Sequence, residues 1–462
     1  MPQSTLLLWA LAGANLLFLG GFAVVSLREG EKRAAAIAAL LTFITTGALT
    51  LAGFLPVPFQ NIILLIMAGM AVLAVVLFLL PGKAVKRARD RSLKKFDERD
   101  VMFARARLQP GSADYKSYYA LHPENEAIDN LFRSKPGLLA SNSRYADPVI
   151  FAVPKASFTL TETMHGMVDG DPSAEVTPLP ENPALTELVR SLTRYLGAVQ
   201  VGITRLRPEH VYSHIGRGSG EYGAPIVLDH KYAIAFTVEM DHTIMASAPQ
   251  APVVMESAKQ YVEAATVAVQ LAQTIRTWGY PARAHTDGDY RVICPLVARD
   301  AGLGEIGRMG LLMTPLLGSR VRIAVVTTDL ELVPDVNEPD ASMIDFCTVC
   351  GKCAQNCPAR AISFADRVEI DGALRWRINS DLCFRYWTAI GTDCGRCMSV
   401  CPYSHPDTFY HNLIRWGNMH SGLFRRAVLV MDDLFYGKHP KPRANRMFSS
   451  TDPQTTNRQP EP

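Results

Sequence analysis

Near its start the chain carries uncharged apolar runs at residues 5–27, 34–57 and 61–80. Each is close to the roughly 20 residues a helix needs to cross hydrocarbon, so three membrane helices are expected within residues 1–82. A signal peptide has a basic start and one short apolar stretch, and this pattern differs on both counts. The first turn holds Arg28, Lys32 and Arg33, the second is uncharged, and Lys83, Lys86, Arg87, Arg89, Arg91, Lys94 and Lys95 follow the third run. The positive-inside rule then places the N-terminus outside, and everything after residue 82 on the cytoplasmic face of an inner (cytoplasmic) membrane. The basic segment also suits anionic lipid headgroups.

Beyond the apolar region the periodicity changes. Residues 83–125 read as a basic juxtamembrane connector, and residues 126–342 alternate strand and helix patterns, as in an α/β domain. Lys231–Glu239 and Arg320–Asp329 are short and rich in β-branched residues, which predicts strands. Glu256–Trp278 predicts a long amphipathic helix, stopped by Gly279 and Pro281. Residues 343–420 hold most of the cysteines, and residues 421–462 end in a Pro-, Asn- and Gln-rich tail expected to be disordered. The formal charge of +3 gives no broad polyanion-binding surface, and no nucleic-acid partner is expected.

Eight of the nine cysteines form two runs: Cys347, Cys350, Cys353 and Cys357 before Pro358, then Cys383, Cys394, Cys397 and Cys401 before Pro402. Close spacing with a trailing Cys-Pro is how a short chain wraps two cubane clusters, the Cys before Pro ligating the other cluster. The expected sets are Cys347, Cys350, Cys353 with Cys401, and Cys394, Cys397, Cys357 with Cys383, holding two [4Fe-4S] clusters. Zinc needs no third cysteine and no Cys-Pro, and disulfide scaffolds belong to short secreted chains. Cys294, in an apolar run, reads as a buried small side chain.

Gly302, Gly304 and Gly307 spell a G-x-G-x-x-G with Asp329 downstream. A nicotinamide fingerprint requires a strand before it and an unbroken helix after it, and Pro315 and Gly318 exclude that helix. Gly216-Arg217-Gly218-Ser219-Gly220 is a second flexible loop, bearing a cation.

Residues 211–240, 256–280 and 298–323, the cysteine runs and the segment 431–437 together resemble corrinoid-dependent reductive dehalogenases, over about residues 130–437. The apolar N-terminus is similar to the small anchor protein that accompanies those enzymes, here fused to the catalytic chain, and Glu29 and Glu31 match an acidic pair in that anchor. The resemblance implies a multidomain fold: three transmembrane helices, an α/β corrinoid-binding domain and a ferredoxin-like two-cluster domain. It implies cobalamin, base-off because no Asp-x-His-x-x-Gly segment is present, with Gly302, Gly304, Gly307 and Arg217 as candidate contacts. It also implies replacement of carbon–halogen by carbon–hydrogen on an organohalide.

Ser257 and Tyr261 stand four apart on one helical face. They match the family's catalytic tyrosine and its hydroxyl neighbour, so Tyr261 is the expected proton donor. A phenol near pKa 10 donates better beside a cation, and Arg308 and Arg320 are the candidates. The expected partners are membrane lipid and a donor that is a quinol, a ferredoxin or a flavoprotein. Two other readings fit parts of the pattern: an epoxyqueuosine-reductase-like enzyme, and a membrane-bound iron–sulfur relay with no substrate of its own.

Overall fold

The computed structural model describes residues 1–80, 94–336 and 341–444. The first part of the expected 83–125 connector, residues 83–93, and most of the expected tail lie outside the described residues. The chain divides into two compact units: residues 1–86, 341–350 and 406–441, and residues 87–340, 351–405 and 442–462.

The first unit contains α1 (Gln3–Arg28), α2 (Lys32–Ala52) and α3 (Val57–Leu79), all long and apolar enough to cross a membrane. The second helix stops five residues earlier than expected, because Gly53 opens a turn and Pro56 keeps Leu55 out of the helical region. Small residues line the α1–α2 contact, with Ala12, Ala23, Ala34 and Ala38 buried. Polar side chains tie the helices together: Asn15 Nδ2 donates to Thr45 Oγ1 at 2.8 Å, and Gln60 Nε2 donates to the Gly53 carbonyl at 2.9 Å. Helices Ala341–Cys350, Phe409–His420 and Gly422–Phe435 complete the unit. His411 pairs with Glu29 at 3.1 Å, Arg425 with Asp345 at 2.6 Å, and Phe22 packs edge-on against Phe435.

In the second unit, β1 (Gln200–Arg205), β2 (Tyr232–Glu239), β3 (Ala282–His285) and β4 (Val321–Thr328) form one antiparallel sheet in the order β1-β2-β4-β3. Alternation divides its faces. Ile234, Phe236, Val238, Ala324 and Val326 pack against Ala264, Ala268, Leu271 and Ile275 of α4 (Ala251–Thr277), while Ala233, Ala235 and Val325 face Val297 and Ala298 of the helix Cys294–Asp300. Helix α4 ends where expected, with Gly279 in the left-handed region at φ +93°.

The rest of this unit supports the sheet and carries the later cysteines. Residues 94–125 contain short helices and bury Glu98, Tyr118 and Tyr119. A hairpin, Val368–Ile370 with Ala373–Arg375, fills the gap before Cys383. Asn379 then caps the helix Ser380–Ile390 that carries this cysteine.

Candidate functional site

The spacing of α4 puts Ser257, Tyr261, Ala264 and Ala268 along the face turned to the sheet. The lower turns are alanine and meet apolar strand residues. The upper two present hydroxyls, and there the second residue of β4 is Arg322, on the same strand face as Ala324 and Val326 and opposite Val238. Arg322 Cζ lies 4.8 Å from the centre of the Tyr261 ring, within cation–π range. The same guanidinium donates to Ser257 Oγ and pairs with Asp393 Oδ2 at 3.2 Å. Asp393 immediately precedes Cys394, so Arg322 links the tyrosine helix, through Ser257, to the cysteine loop. Burial pushes the Asp393 carboxyl up, opposed by Arg322 and the Ser257 hydrogen bond.

Burial pushes the Tyr261 phenol up to about 12, against the opposing charge of Arg322. Its hydroxyl has no hydrogen-bond partner among the described residues. Tyr290 is a second deep phenol, driven well above its ordinary value mainly by burial. Arg217 lies with Cζ 5.6 Å from the Phe103 ring and 5.9 Å from the Tyr290 ring. Tyr261, Tyr290, Arg217 and Arg322 are each partly accessible.

The two arginines expected beside Tyr261 point elsewhere. Arg308 donates to the carbonyls of Ser363 at 2.8 Å and Ala365 at 3.1 Å and stacks on Trp376. Arg320 precedes the first strand residue, and there the chain aims it at Glu239 at 2.6 Å and the carbonyls of Ser404 and Met240. The sequence reading missed Arg322, although strand alternation supplied the signal: Arg322 shares the parity of Ala324 and Val326, which face α4.

The glycines have backbone duties. Gly302 closes the helix Cys294–Asp300 at φ +77°, and Gly304 lies so close to the next strand that a Cβ would sit 2.0 Å from the Met313 carbonyl. A helix precedes them and the hairpin Glu305–Ile306 with Leu312–Met313 follows, so the strand–turn–helix frame of a nucleotide fingerprint is replaced. Arg217 is held by Glu98, whose carboxylate accepts from the backbone N–H of Gly216 at 2.9 Å and of Arg217 at 3.2 Å, and from Arg217 Nε at 3.2 Å.

Among the thiols, Cys357 from the first run lies with Cys383, Cys394 and Cys397 from the second. Burial raises Cys383 to about 11 and Cys394 to about 12, and Cys357 adds to the shift in each, as it does for Cys397. The backbone N–H of Ala361 donates to Cys357 Sγ at 3.3 Å. Cys394 adopts φ +58° and Gly395 φ +64°, a turn that brings Cys394 and Cys397 round toward one point. Cys347 and Cys350 sit on the helix Ala341–Cys350, Cys353 on the turn Lys352–Gln355, and Cys401 caps the turn Pro402–Ser404.

Residues 346–405 match a family model described as a 4Fe-4S dicluster domain. Tetrachloroethene reductive dehalogenase of Sulfurospirillum multivorans is 30% identical over 288 residues, 55% of this chain and 57% of that protein. The protein of that name from Desulfitobacterium hafniense is 32% identical over 277 residues, 50% of each chain. The chain thus spans about half the length of the relatives it matches. The solved structure of catabolic reductive dehalogenase NpRdhA in complex with 3-bromo-4-hydroxybenzoic acid superposes with a TM-score of 0.62 at 26% identity, covering 78% of this chain and 48% of that one. In sequence and in fold, the chain is thus similar to reductive dehalogenases over about half of their length.

Proposed function

We propose that this chain is a membrane-anchored reductive dehalogenase that carries out R–X + 2 e⁻ + H⁺ → R–H + X⁻ on an organohalide, with a base-off corrinoid and two [4Fe-4S] clusters. The observation that carries the reading is the Tyr261 phenol, with no hydrogen-bond partner among the described residues and with the Arg322 guanidinium 4.8 Å from its ring. The residues fit the implied groups. Cys357, Cys383, Cys394 and Cys397 supply four converging sulfurs for one cubane, and the spacing of Cys347, Cys350, Cys353 and Cys401 supplies the other set. Beside Tyr261, Arg322 Nε is buried without a hydrogen-bond partner, an orphaned donor that a bound group could satisfy.

When bound, the corrinoid supplies the low-potential metal chemistry that cleaves carbon–halogen bonds, and the clusters supply its electrons. The chain's own task is the proton. With its pKa pushed up, Tyr261 stays protonated at neutral pH and holds the proton at Oη. Arg322 stabilises the phenolate left after transfer, while Ser257 and Asp393 fix the guanidinium on the ring. The apolar faces of α4 and the sheet keep bulk water from that proton.

Three apolar helices support the anchoring, and the basic residues after them support a cytoplasmic placement of the second unit, with the N-terminus outside. Lipid, and an electron donor that is a quinol, a ferredoxin or a flavoprotein, complete the proposal. The test is Tyr261→Phe in the anaerobically reconstituted protein. Halide release is expected to vanish while iron and corrinoid contents hold. Full turnover in that variant removes Tyr261 from the role.

A further inference from the structure

The two helices that close the first unit, Phe409–His420 and Gly422–Phe435, have their polarity reversed. Turned inward are polar and charged groups: His411 against Glu29, Arg425 against Asp345, and the buried Arg415, Asn418 and Asp432. Turned outward at helical spacing are Phe409, Leu413 and Trp416 on the first helix, and Leu423, Val430 and Leu434 on the second. Phe409 is 69%, Trp416 52% and Val430 72% exposed. A surface helix in water shows the opposite arrangement, with its apolar stripe to the core and its charges to solvent. An exposed apolar face of this kind marks a surface that something apolar covers.

The contacts of these helices with α1, α2 and α3 say what covers it. Tyr410 sits between Phe18 and Phe22 of α1, 5.4 Å from each ring centre. Gly21 leaves the room its hydroxyl takes, since a Cβ there would strike Tyr410 Oη. Phe18 and Phe22 come ten and six residues before Arg28, the last residue of α1, or about 15 and 9 Å along the helix axis. The first helix of the pair thus begins below the charged turn at residues 28–33, at the depth where aromatic rings form a belt around spanning helices. Trp416 stacks on Phe78 near the end of α3, with 5.6 Å between ring centres and 14° between planes. The outward stripe therefore runs on into an apolar helix. At the far end of the pair, Arg33 Nε donates to the Leu434 carbonyl at 3.0 Å, level with the basic turn. A soluble partner would have to pass that turn to cover Phe409, whereas lipid is already at that depth.

Resting on the membrane-anchored reading above, we propose that residues 409–435 form an interfacial helical pair whose apolar face is bedded in the acyl chains of the bilayer, about 5–10 Å deep. The chain beyond the cysteine runs then has its own attachment to lipid, besides α1–α3.

The test places the photoreactive residue p-benzoylphenylalanine at Leu413, Val430, Leu65 or Val227, one position per preparation. The full-length protein is reconstituted into vesicles of phosphatidylcholine and phosphatidylglycerol, matched for iron, illuminated, and lipid adducts are counted by mass spectrometry. All four side chains are exposed; Leu65 of α3 reads the anchor and Val227 reads the second unit. Adducts at Leu413 and Val430 are expected within about threefold of Leu65 and at least about tenfold above Val227. Adducts at Leu65 with only background at Leu413 and Val430 overturn the proposal and leave the anchor standing. Background at Leu65 as well overturns both. Cross-links from Leu413 or Val430 to a second copy of the chain, in place of lipid, make the face a dimer contact and also overturn it. Quenching by brominated phosphatidylcholine reads a natural side chain. The Trp416 contribution, taken as wild type minus Trp416→Phe, should lose more than about half its intensity in brominated vesicles, and an unquenched contribution overturns the proposal.

Discussion

Replacing Arg322 by methionine removes the cation from the Tyr261 ring while keeping most of the side-chain volume. At the observed 4.8 Å, one charge at an effective dielectric near 20 is worth about 3 kcal/mol to a phenolate. Asp393, 3.2 Å from the guanidinium, offsets part of that while the arginine is present. Once the arginine is gone, Asp393 is an unpaired negative charge near the same ring and opposes the phenolate. The two changes act in one direction, so turnover should fall at least about a hundredfold. Arg322→Lys restores a point charge but not the fork that holds Ser257 and Asp393 together, and should recover only part of the rate. The assay is single-turnover halide release under a low-potential reductant, with preparations matched for iron and corrinoid. Undiminished turnover in Arg322→Met refutes the reasoning, as does a loss that simply tracks lost cofactor.

Cys357→Ala should disturb the EPR signal of the cluster held by the second cysteine run, and a change confined to the other cluster contradicts the crossed assignment. Gly304→Ala puts a methyl 2.0 Å from the Met313 carbonyl at φ +154°, and should cost roughly 2–4 kcal/mol in thermal unfolding. His285 is fully buried, accepts the Arg291 N–H at Nδ1 at 3.1 Å, and is held well below the usual imidazole range chiefly by burial. It is therefore neutral when folded but takes up a proton when unfolded below about pH 6.5. Stability should fall as pH drops through that value, by up to about 1.4 kcal/mol per pH unit from this group; His285→Gln should flatten the slope, and a slope unchanged in the variant counts against it.

Elements with strong periodicity were legible from the sequence: the apolar runs became α1–α3, and Glu256–Trp278 became α4 with its stop at Gly279. The strands at 231–239 and 320–329 were each found within a residue or two. Tyr261 and Ser257 could be paired because a four-residue interval on one helix fixes their relation. The partner of Tyr261 comes from another element, and there a shift of two residues decides everything. Arg320 and Arg322 share strand parity, but Arg320 lies before the first paired residue, where the chain turns toward Glu239 and Ser404. Arg217 was legible as a cation on a glycine loop. Its neutralisation by Glu98, more than a hundred residues earlier, was not, because nothing local in either segment encodes a contact at that separation. Cys383 looked displaced in the linear pattern. The hairpin 368–375 and the capped helix 380–390 account for the spacing, by occupying the chain between Cys357 and the sulfurs it joins.

The central claim is that this chain combines a corrinoid, two cubanes and the Tyr261–Arg322 pair to exchange halogen for hydrogen. Anaerobic reconstitution of the full chain with cobalamin, iron and sulfide, followed by halide release from a panel of aryl and alkyl halides, tests it most directly. The account predicts bound corrinoid, about eight irons per chain for two cubanes and halide release that Tyr261→Phe abolishes. Two clusters with no bound corrinoid and no halide released from any substrate would contradict it and leave a membrane iron–sulfur relay.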